Sequence, residues 1–516
     1  MDISWAYSDF TPLTLLLIVA FGGTAITFFA GAKARYVALV TAAATLACSL
    51  YLLGTFSLSS PLDYQFVQSN QWFSFIGTSG NVAVNYTVGI DGISLPFLLL
   101  STVLSVAVVI YHWEEKKNSS AFFALLMLTN AGLLGVFVSL DILLFFVFWE
   151  IVLIPMFFLI GHWGGPRRGY ASLKFFVYTH VASVVMLVAL LAMVFLGHWP
   201  NLDFGGSNYY TATVAGYNAQ NITGIMQVLL FGALFFGFGV KLPMVPFHTW
   251  LPDAHVEAPT GGSVLLAGML LKMGAYGLIR IAFPLLPLGR VTLFPLVATV
   301  AVISILWGAF LSLSQRDMKR LVAYSSINHM GIVLLAIALW TQLSVTAAVL
   351  LMFAHGLISG LLFMLSGSVH HTFGTRDIPS IGGINARTPI LSTLLIIGSL
   401  ASLGLPSLVS FPAEFASFLA VWESLSWWVF LPLLALVITA GFYIWMLQRM
   451  CFGPMRGVPA KAVDLPFNEL FAMVLLVSLI VLYGVLPYLL VQFIPHAYIF
   501  TVPTHCGGTS VCPTQP

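Results

Sequence analysis

Apolar runs of about 20 residues, separated by short polar stretches, recur along the whole chain. Each is long enough to cross a bilayer as a helix. Fourteen such spans can be drawn, roughly at 11–30, 35–55, 91–112, 119–138, 140–162, 173–197, 224–250, 258–283, 291–313, 319–341, 344–369, 389–421, 428–452 and 467–495. Transmembrane barrels show alternating segments of about 10 residues, and this pattern has none. The pattern therefore predicts an all-α polytopic membrane protein. The polar intervals from Ser57 to Tyr86 and from Asn201 to Gln220 are expected to be loops, and no soluble domain fits between the spans. The first run follows Asp2 and Asp9 rather than a basic region and shows no convincing cleavage site, so it is expected to be retained.

Composition agrees: 59% of the 516 residues are hydrophobic and 7% charged, against about 25% charged in ordinary soluble domains. The net charge of +2 points to no class of partner. No basic tract interleaved with aromatics suggests nucleic acid. The placement of the 19 Lys and Arg is more informative. Fifteen fall in odd-numbered loops, Arg280 and Arg290 fall in even-numbered ones, and Lys241 and Lys272 lie inside spans. By the positive-inside rule the odd loops are cytoplasmic and both termini face outside a cell membrane. Cys506 and Cys512 would then see the oxidising side, where a disulfide and two free thiols are both open readings. Cys48 and Cys451 read as apolar fillers.

The chain also shows an internal echo. "SLDILLFFVFWE" opens the fifth span and "SQRDMKRLVAYSS" the tenth. Lys241 stands beside Pro243 and Pro246 in the seventh span, Glu414 beside Pro406 and Pro412 in the twelfth. An offset of five spans inverts the second copy. Paired, Pro-interrupted spans in inverted halves point to an ion site near the midplane. The prolines are expected to leave backbone carbonyls near Gly239 and Lys241 unpaired, free to solvate an ammonium and a water chain.

Four ionisable residues lie well inside spans: Glu150, Lys241, Lys272 and Glu414. Each costs about 2.5–3.5 kcal/mol to insert. An amine in a low-dielectric interior can exchange its proton with neighbours, and a nearby carboxylate holds the charged form. The functional reading is a proton path; a static ion pair between Glu150 and Lys241 is the structural alternative. Lys272, set among Gly268, Gly274 and Gly277, is either buried or snorkels. His329 and His355 are relay candidates or packed core histidines. His248, Asp253, His255 and Glu257 form either a proton inlet or a polar loop. Adjacent His370 and His371 lack a third partner for a metal. No phosphate loop, dinucleotide fingerprint, nucleophile triad or zinc spacing is present, so no cofactor or metal is expected in this chain.

The stretches "GIDGISLPF", "FFVFWEIVLIPMFFLIGHWGG", "KLPMVPFHTWLPDAHVEAPT", "LLKMGAYGLIR", "SQRDMKRLVAYSSINHMG" and "ASLGLP…EF" closely resemble the antiporter-like subunits of respiratory complex I, specifically the subunit M type, which is related to subunits of multisubunit cation/proton antiporters. The resemblance implies a fourteen-helix core with discontinuous helices 7 and 12 and two inverted five-helix units. The units would occupy 119–283 and 291–452, flanked by 1–118 and a last helix and polar tail at 453–516. It implies proton translocation through Glu150, Lys241, Lys272 and Glu414 with His248, His329 and His355 as relays, and no redox cofactor in this chain. It also implies sister antiporter-like subunits as partners in the bilayer, and a quinone bound elsewhere in the assembly. The same subunit of a membrane-bound hydrogenase or of a cation/proton antiporter is the alternative. The family reads Pro-Gly-x-Ser-Gly-Phe before the acid; here "PSLVSFPAEF" replaces both glycines and adds Pro412, so the break in the twelfth span is expected to differ in shape.

Overall fold

The computed structural model of the chain describes residues 11–58, 64–77, 80–204, 222–459 and 462–494. Cys506, Cys512, Asp2, Asp9 and most of the interval from Asn201 to Gln220 lie outside the described residues.

Lipid offers no partner to backbone N–H and C=O groups, so each passage must be helical. The passages are α1 (Pro12–Phe29), α2 (Ala34–Thr55), α3 (Ser94–Tyr111), α4 (Ser119–Val138), α5 (Ile142–Trp163) and α6 (Arg168–Leu196). The seventh is split into α7 (Gly224–Lys241) and α8 (Trp250–Glu257). Then come α9 (Thr260–Leu285), α10 (Pro287–Leu313), α11 (Met318–Leu339) and α12 (Gln342–Phe373). The twelfth passage is split into α13 (Pro389–Ser402) and α14 (Ser410–Leu425), followed by α15 (Phe430–Met450) and α16 (Phe467–Val485). Among the described residues, thirteen segments are long and apolar enough to cross a membrane, and one of them, Ser410–Met450, contains both α14 and α15. Separating those two gives the fourteen passages expected.

Burial sorts the helices. The spanning windows of α9 and α12 are 100% buried, that of α11 94% and that of α3 89%, whereas those of α1 and α16 are 28% buried. The centre of the molecule is therefore α3, α9, α11 and α12. A polar side chain on α9 or α12 faces protein on every side, and this is where a buried polar axis can form.

Contacts between loops separate two faces. On one, Gly261 N–H donates to His112 Nε2 (2.7 Å), Gly165 N–H to the Glu257 carbonyl, Arg376 to the Val256 carbonyl and Asn468 to the Tyr111 carbonyl. These tie the odd-numbered loops together. On the other, Leu140 N–H donates to the Thr87 carbonyl, and Asn85 reaches both Asp141 and Asp203. Asp141 caps α5 by accepting from the Leu143 and Leu144 N–H groups, and Asp317 caps α11 by accepting from Arg320 N–H. The two aspartates come from the two echoed sequences and sit on opposite faces.

The polar interval before α3 is not a loop. Gln65–Gly77 (β1) and Gly80–Ile90 (β2) pair as an antiparallel hairpin over the even-loop face. β2 alternates, with Val82, Val84, Val88 and Ile90 buried on one face, whereas in β1 polar residues fall on both faces and two register shifts break the period. Beneath it, Arg280 is fully buried and paired with Asp91, and its guanidinium stacks near the Tyr276 ring. Arg280 is thus a core residue of α9 rather than a loop cation. Asp91 also accepts from the Ile93 and Ser94 N–H groups at the start of α3. Removing one partner of a buried ion pair strands the other, at a cost of about 3–5 kcal/mol. Arg280→Met is therefore expected to lower the thermal midpoint of the purified protein sharply, with Asp91→Asn in the same chain recovering part of the loss. An unchanged midpoint for the single variant would show that the pair carries no stability.

Candidate functional site

The break in the seventh passage begins one residue after Lys241. Leu242 N–H still bonds the Phe238 carbonyl, but Pro243 and Pro246 then prevent regular helix until Trp250. Two of the carbonyls in the break have partners, while no donor reaches the Lys241 carbonyl among the described residues. Met244 N–H donates to the Gly239 carbonyl (3.0 Å), and the Trp250 indole N–H donates to the Val240 carbonyl (3.0 Å). The amine itself is held by an aromatic face. Lys241 Nζ lies 3.9 Å from the centroid of the Trp149 ring and donates to the Trp149 carbonyl at 3.4 Å. A desolvated ammonium over an indole face gains about 2 kcal/mol or more. The Trp149 ring is fully buried and fixed by its N–H bond to Ser183 Oγ (2.9 Å).

Glu150, the next residue, is near enough to act on Lys241 electrostatically, yet no ion pair joins the two among the described residues. The carboxylate instead lies with Oε2 3.0 Å from His180 Nδ1 on α6. His180 is the functional candidate that sequence reading missed. A histidine in the apolar run of the sixth span was the available signal. Its side chain is 46% exposed and that of Glu150 23%, so the pair stands on the outer wall of the helix bundle, with the buried Lys241 inside it.

Lys272 does not snorkel. It is fully buried on α9, whose helix widens into π-turns at Leu266–Leu270 and Leu278–Ala282. Such bulges loosen the carbonyl ladder and recur at functional sites. Lys272 Nζ donates to the Ala267 carbonyl inside the first bulge and lies 2.6 Å from His355 Nδ1 on α12. The two helices reach this distance because Gly268 and Gly356 face each other: a Cβ on Gly356 would collide with the Gly268 carbonyl and Leu100, and one on Gly268 with Leu104.

His355 leads on. Its ring centroid is 5.7 Å from that of His329 on α11. His329 Nδ1 is 3.5 Å from Glu414 Oε1, and its Nε2 is 3.2 Å from Ser402 Oγ. Tyr443 holds Ser402 (3.0 Å) and is itself 3.0 Å from Ser325. Lys272, His355, His329 and Glu414 thus form one buried line, hydrogen-bonded at Lys272–His355 and closely spaced beyond it. Glu414 Oε1 has no hydrogen-bond partner, so one carboxyl oxygen stays available.

The twelfth passage breaks between Ser402 and Ser410, and Pro406 lies in the break. Pro412 does not break the helix. It sits in the first turn of α14, where a missing N–H costs nothing. The lost glycines are compensated. Ser407, in the place of the first, adopts φ +76°, a left-handed conformation that costs a non-glycine residue about 1–2 kcal/mol. Ser410, in the place of the second, donates to the Ala401 carbonyl across the gap. Gly404, also left-handed, lies against the Glu414 carboxylate so closely that a Cβ would collide with it.

The remaining candidates separate. His248 lies in the first break, facing Lys174 rather than the His329–His355 line. Asp253 pairs with Lys174 (2.8 Å), and Glu257 accepts from Arg167 N–H (2.8 Å), so both are engaged in ion pairs that tie α8 to α6. His371 pairs with Glu469 of α16 (3.2 Å). His255 is fully buried, and neither ring nitrogen has a hydrogen-bond partner among the described residues. An unmade buried bond costs about 1–3 kcal/mol.

Comparison with known proteins gives one consistent result. Residues 139–440 match the family model described as "NADH:quinone oxidoreductase/Mrp antiporter, TM". F(420)H(2) dehydrogenase subunit M of Methanosarcina mazei is 39% identical over 480 residues, covering 92% of this chain and 94% of its own. NADH-quinone oxidoreductase subunit M of Rhodobacter capsulatus is 36% identical over 487 residues (94% and 93%), and that of Escherichia coli K12 is 38% identical over 467 (88% and 89%). A chain of respiratory complex I from Thermus thermophilus with bound NADH superposes with a TM-score of 0.84 at 26% identity, covering 95% of this chain and 99% of that one. A chain of the Mrp complex from Dietzia shares the fold, with a TM-score of 0.79 at 16% identity over 94% and 96% of the two chains.

Proposed function

Because the chain belongs to the NADH:quinone oxidoreductase/Mrp antiporter family, we propose that it is the proton-translocating, subunit M-type member of a complex-I-like quinone oxidoreductase. The observation that carries this reading is the buried line from Lys272 through His355 and His329 to Glu414. Four proton-exchanging groups in the core of a multi-pass bundle are costly for stability alone. Glu150, on the outer wall, acts electrostatically on the buried Lys241, and this pair is the counterpart of the line in the first half of the chain. Electron transfer and quinone reduction belong to partner subunits, and this chain carries no redox group of its own. Its nearest contacts in the bilayer are sister antiporter-like subunits. The two relatives named for different donors, F(420)H(2) and NADH, both align over more than nine-tenths of this chain. That supports a coupling arm indifferent to the donor.

The inverted units are 119–283 and 291–452, flanked by 1–118 and 453–516, an assignment supported by the two Asp-capped helices and two broken passages five apart. The odd-numbered loops face the cytoplasm, because the loop cations concentrate there. A reporter fused after Val485 should be exported; a cytoplasmic signal would reverse the orientation.

The test of the function is Lys241→Ala. In inverted membrane vesicles, proton uptake normalised to assembled complex should fall by about tenfold or more, the lower range for losing a proton-transfer group. Uptake at the parental level per complex would remove Lys241 from the path.

A further inference from the structure

We propose that His255 is the inlet residue that delivers protons from the odd-loop face to Lys272. This rests on the reading of the chain as a proton translocator and adds the group that loads its buried line.

Three observations converge on the imidazole. The first is its environment. It is fully buried, yet both ring nitrogens lack a partner among the described residues. Buried polar atoms are almost always satisfied, and the exceptions are accounted for by bound water or a chemical role. A core histidine kept for packing would have at least one nitrogen bonded to a carbonyl.

The second is how the ring is held. It stacks flat on Phe363 of α12, with centroids 4.4 Å apart and planes 11° off parallel. Stacking fixes the ring through its face and leaves the in-plane nitrogen edges unobstructed by that contact. The His255 carbonyl accepts from Ser263 Oγ (3.1 Å), which anchors α8 to the start of α9.

The third is position. His255 lies within electrostatic reach of two lysines, Lys319 of α11 and Lys272 of α9, and of His355 of α12. Lys319 is buried at the end of α11 beside the odd loops and donates to the Ala258 carbonyl (2.6 Å), three residues beyond His255. On its own helix, Asp253 and Glu257 are occupied by Lys174 and Arg167. The ring is thus placed between an amine on the odd-loop side and the amine of the buried line.

The step balances without electron transfer. One ring nitrogen takes a proton from the odd-loop side, and the other gives its proton, through water, to the neutral Lys272 amine. The imidazole returns to neutral with its tautomer exchanged, and reorientation or proton exchange resets it.

The experiment uses the assembled complex in inverted vesicles, with proton uptake and electron transfer both normalised to complex content. His255→Phe keeps an aromatic ring against Phe363 but carries no proton, and His255→Ala leaves space where the ring was. Uptake should fall about tenfold or more in both. Added imidazole should restore uptake in His255→Ala while leaving His255→Phe and Lys272→Ala low, a rescue that a purely structural role would not show. Parental uptake in His255→Phe, or no rescue of His255→Ala by imidazole, would overturn the assignment. Parental uptake in Lys272→Ala would instead overturn the proposed function itself, so the two failures are distinguishable.

Discussion

Lys272→Met is expected to abolish proton uptake while the complex still assembles. Methionine fills a similar volume and carries no proton, so the close approach of α9 and α12 through Gly268 and Gly356 survives. What disappears is the contact with His355 Nδ1 at 2.6 Å. Everything between Lys272 and Glu414 is in series, and a series path fails completely when one member is lost. The loss should be about 10²-fold or more in uptake per complex. His355→Gln should show a loss of similar size, and the double variant should be no worse than the worse single. Groups that act as one unit are non-additive in this way. Multiplying losses in the double variant would mean two independent paths and would dismantle the single-line reading. Electron transfer measured in the same vesicles separates the cases further. If coupling is tight, it falls with uptake; if the line only conducts, it continues while uptake stops.

The passages and both breaks were legible in the sequence because lipid leaves the backbone so few options. About 20 apolar residues must be helical at that depth, and prolines beside Lys241 and Pro406 before Glu414 can only interrupt a helix there. The four buried charges were legible for the same reason: each stands out against an apolar background. What the sequence did not disclose is pairing. Asp91 and Arg280 are 189 positions apart, and nothing local marks them as partners; Arg280 read as a loop cation because it closes a span. Glu150 read as the partner of Lys241, but His180 occupies one of its oxygens. Of the carbonyls at the break, those of Gly239 and Val240 are taken by Met244 N–H and the Trp250 indole, partners that nothing local announces. The hairpin before α3 was lost because β1 carries polar residues on both faces, although the alternation of Val82, Val84, Tyr86 and Val88 in β2 was there to be read. In the other cases the missing information was a contact across the fold rather than a preference along the chain.

Glu414→Gln is expected to lower proton uptake strongly, and the geometry says why a carboxyl group is suited to this position. Its Oε1 faces His329 Nδ1 at 3.5 Å without a hydrogen-bond partner, while Oε2 lies against the Gly404 backbone in the break between α13 and α14. One oxygen thus looks back along the line and the other looks toward the break. A proton received from His329 on the first can leave from the second after the carboxyl rotates or exchanges with water. Loaded, the group is neutral and costs little in a buried site; unloaded, it is an anion that attracts the next proton from His329. A lysine reverses this, being charged when loaded. Glutamine keeps the shape and one acceptor but cannot take a proton, so uptake should fall about tenfold or more, with assembly intact. Glu414→Lys should be intermediate, because an amine still exchanges protons but its longer side chain must displace contacts around Gly404. Gly404→Ala provides the control for shape. It leaves the carboxyl group chemically intact but forces it away from the break, and it strains a residue at φ +76°. If release runs through the break, Gly404→Ala should impair uptake as Glu414→Gln does. Parental uptake in Glu414→Gln would make the carboxyl group structural, and the line would end at His329.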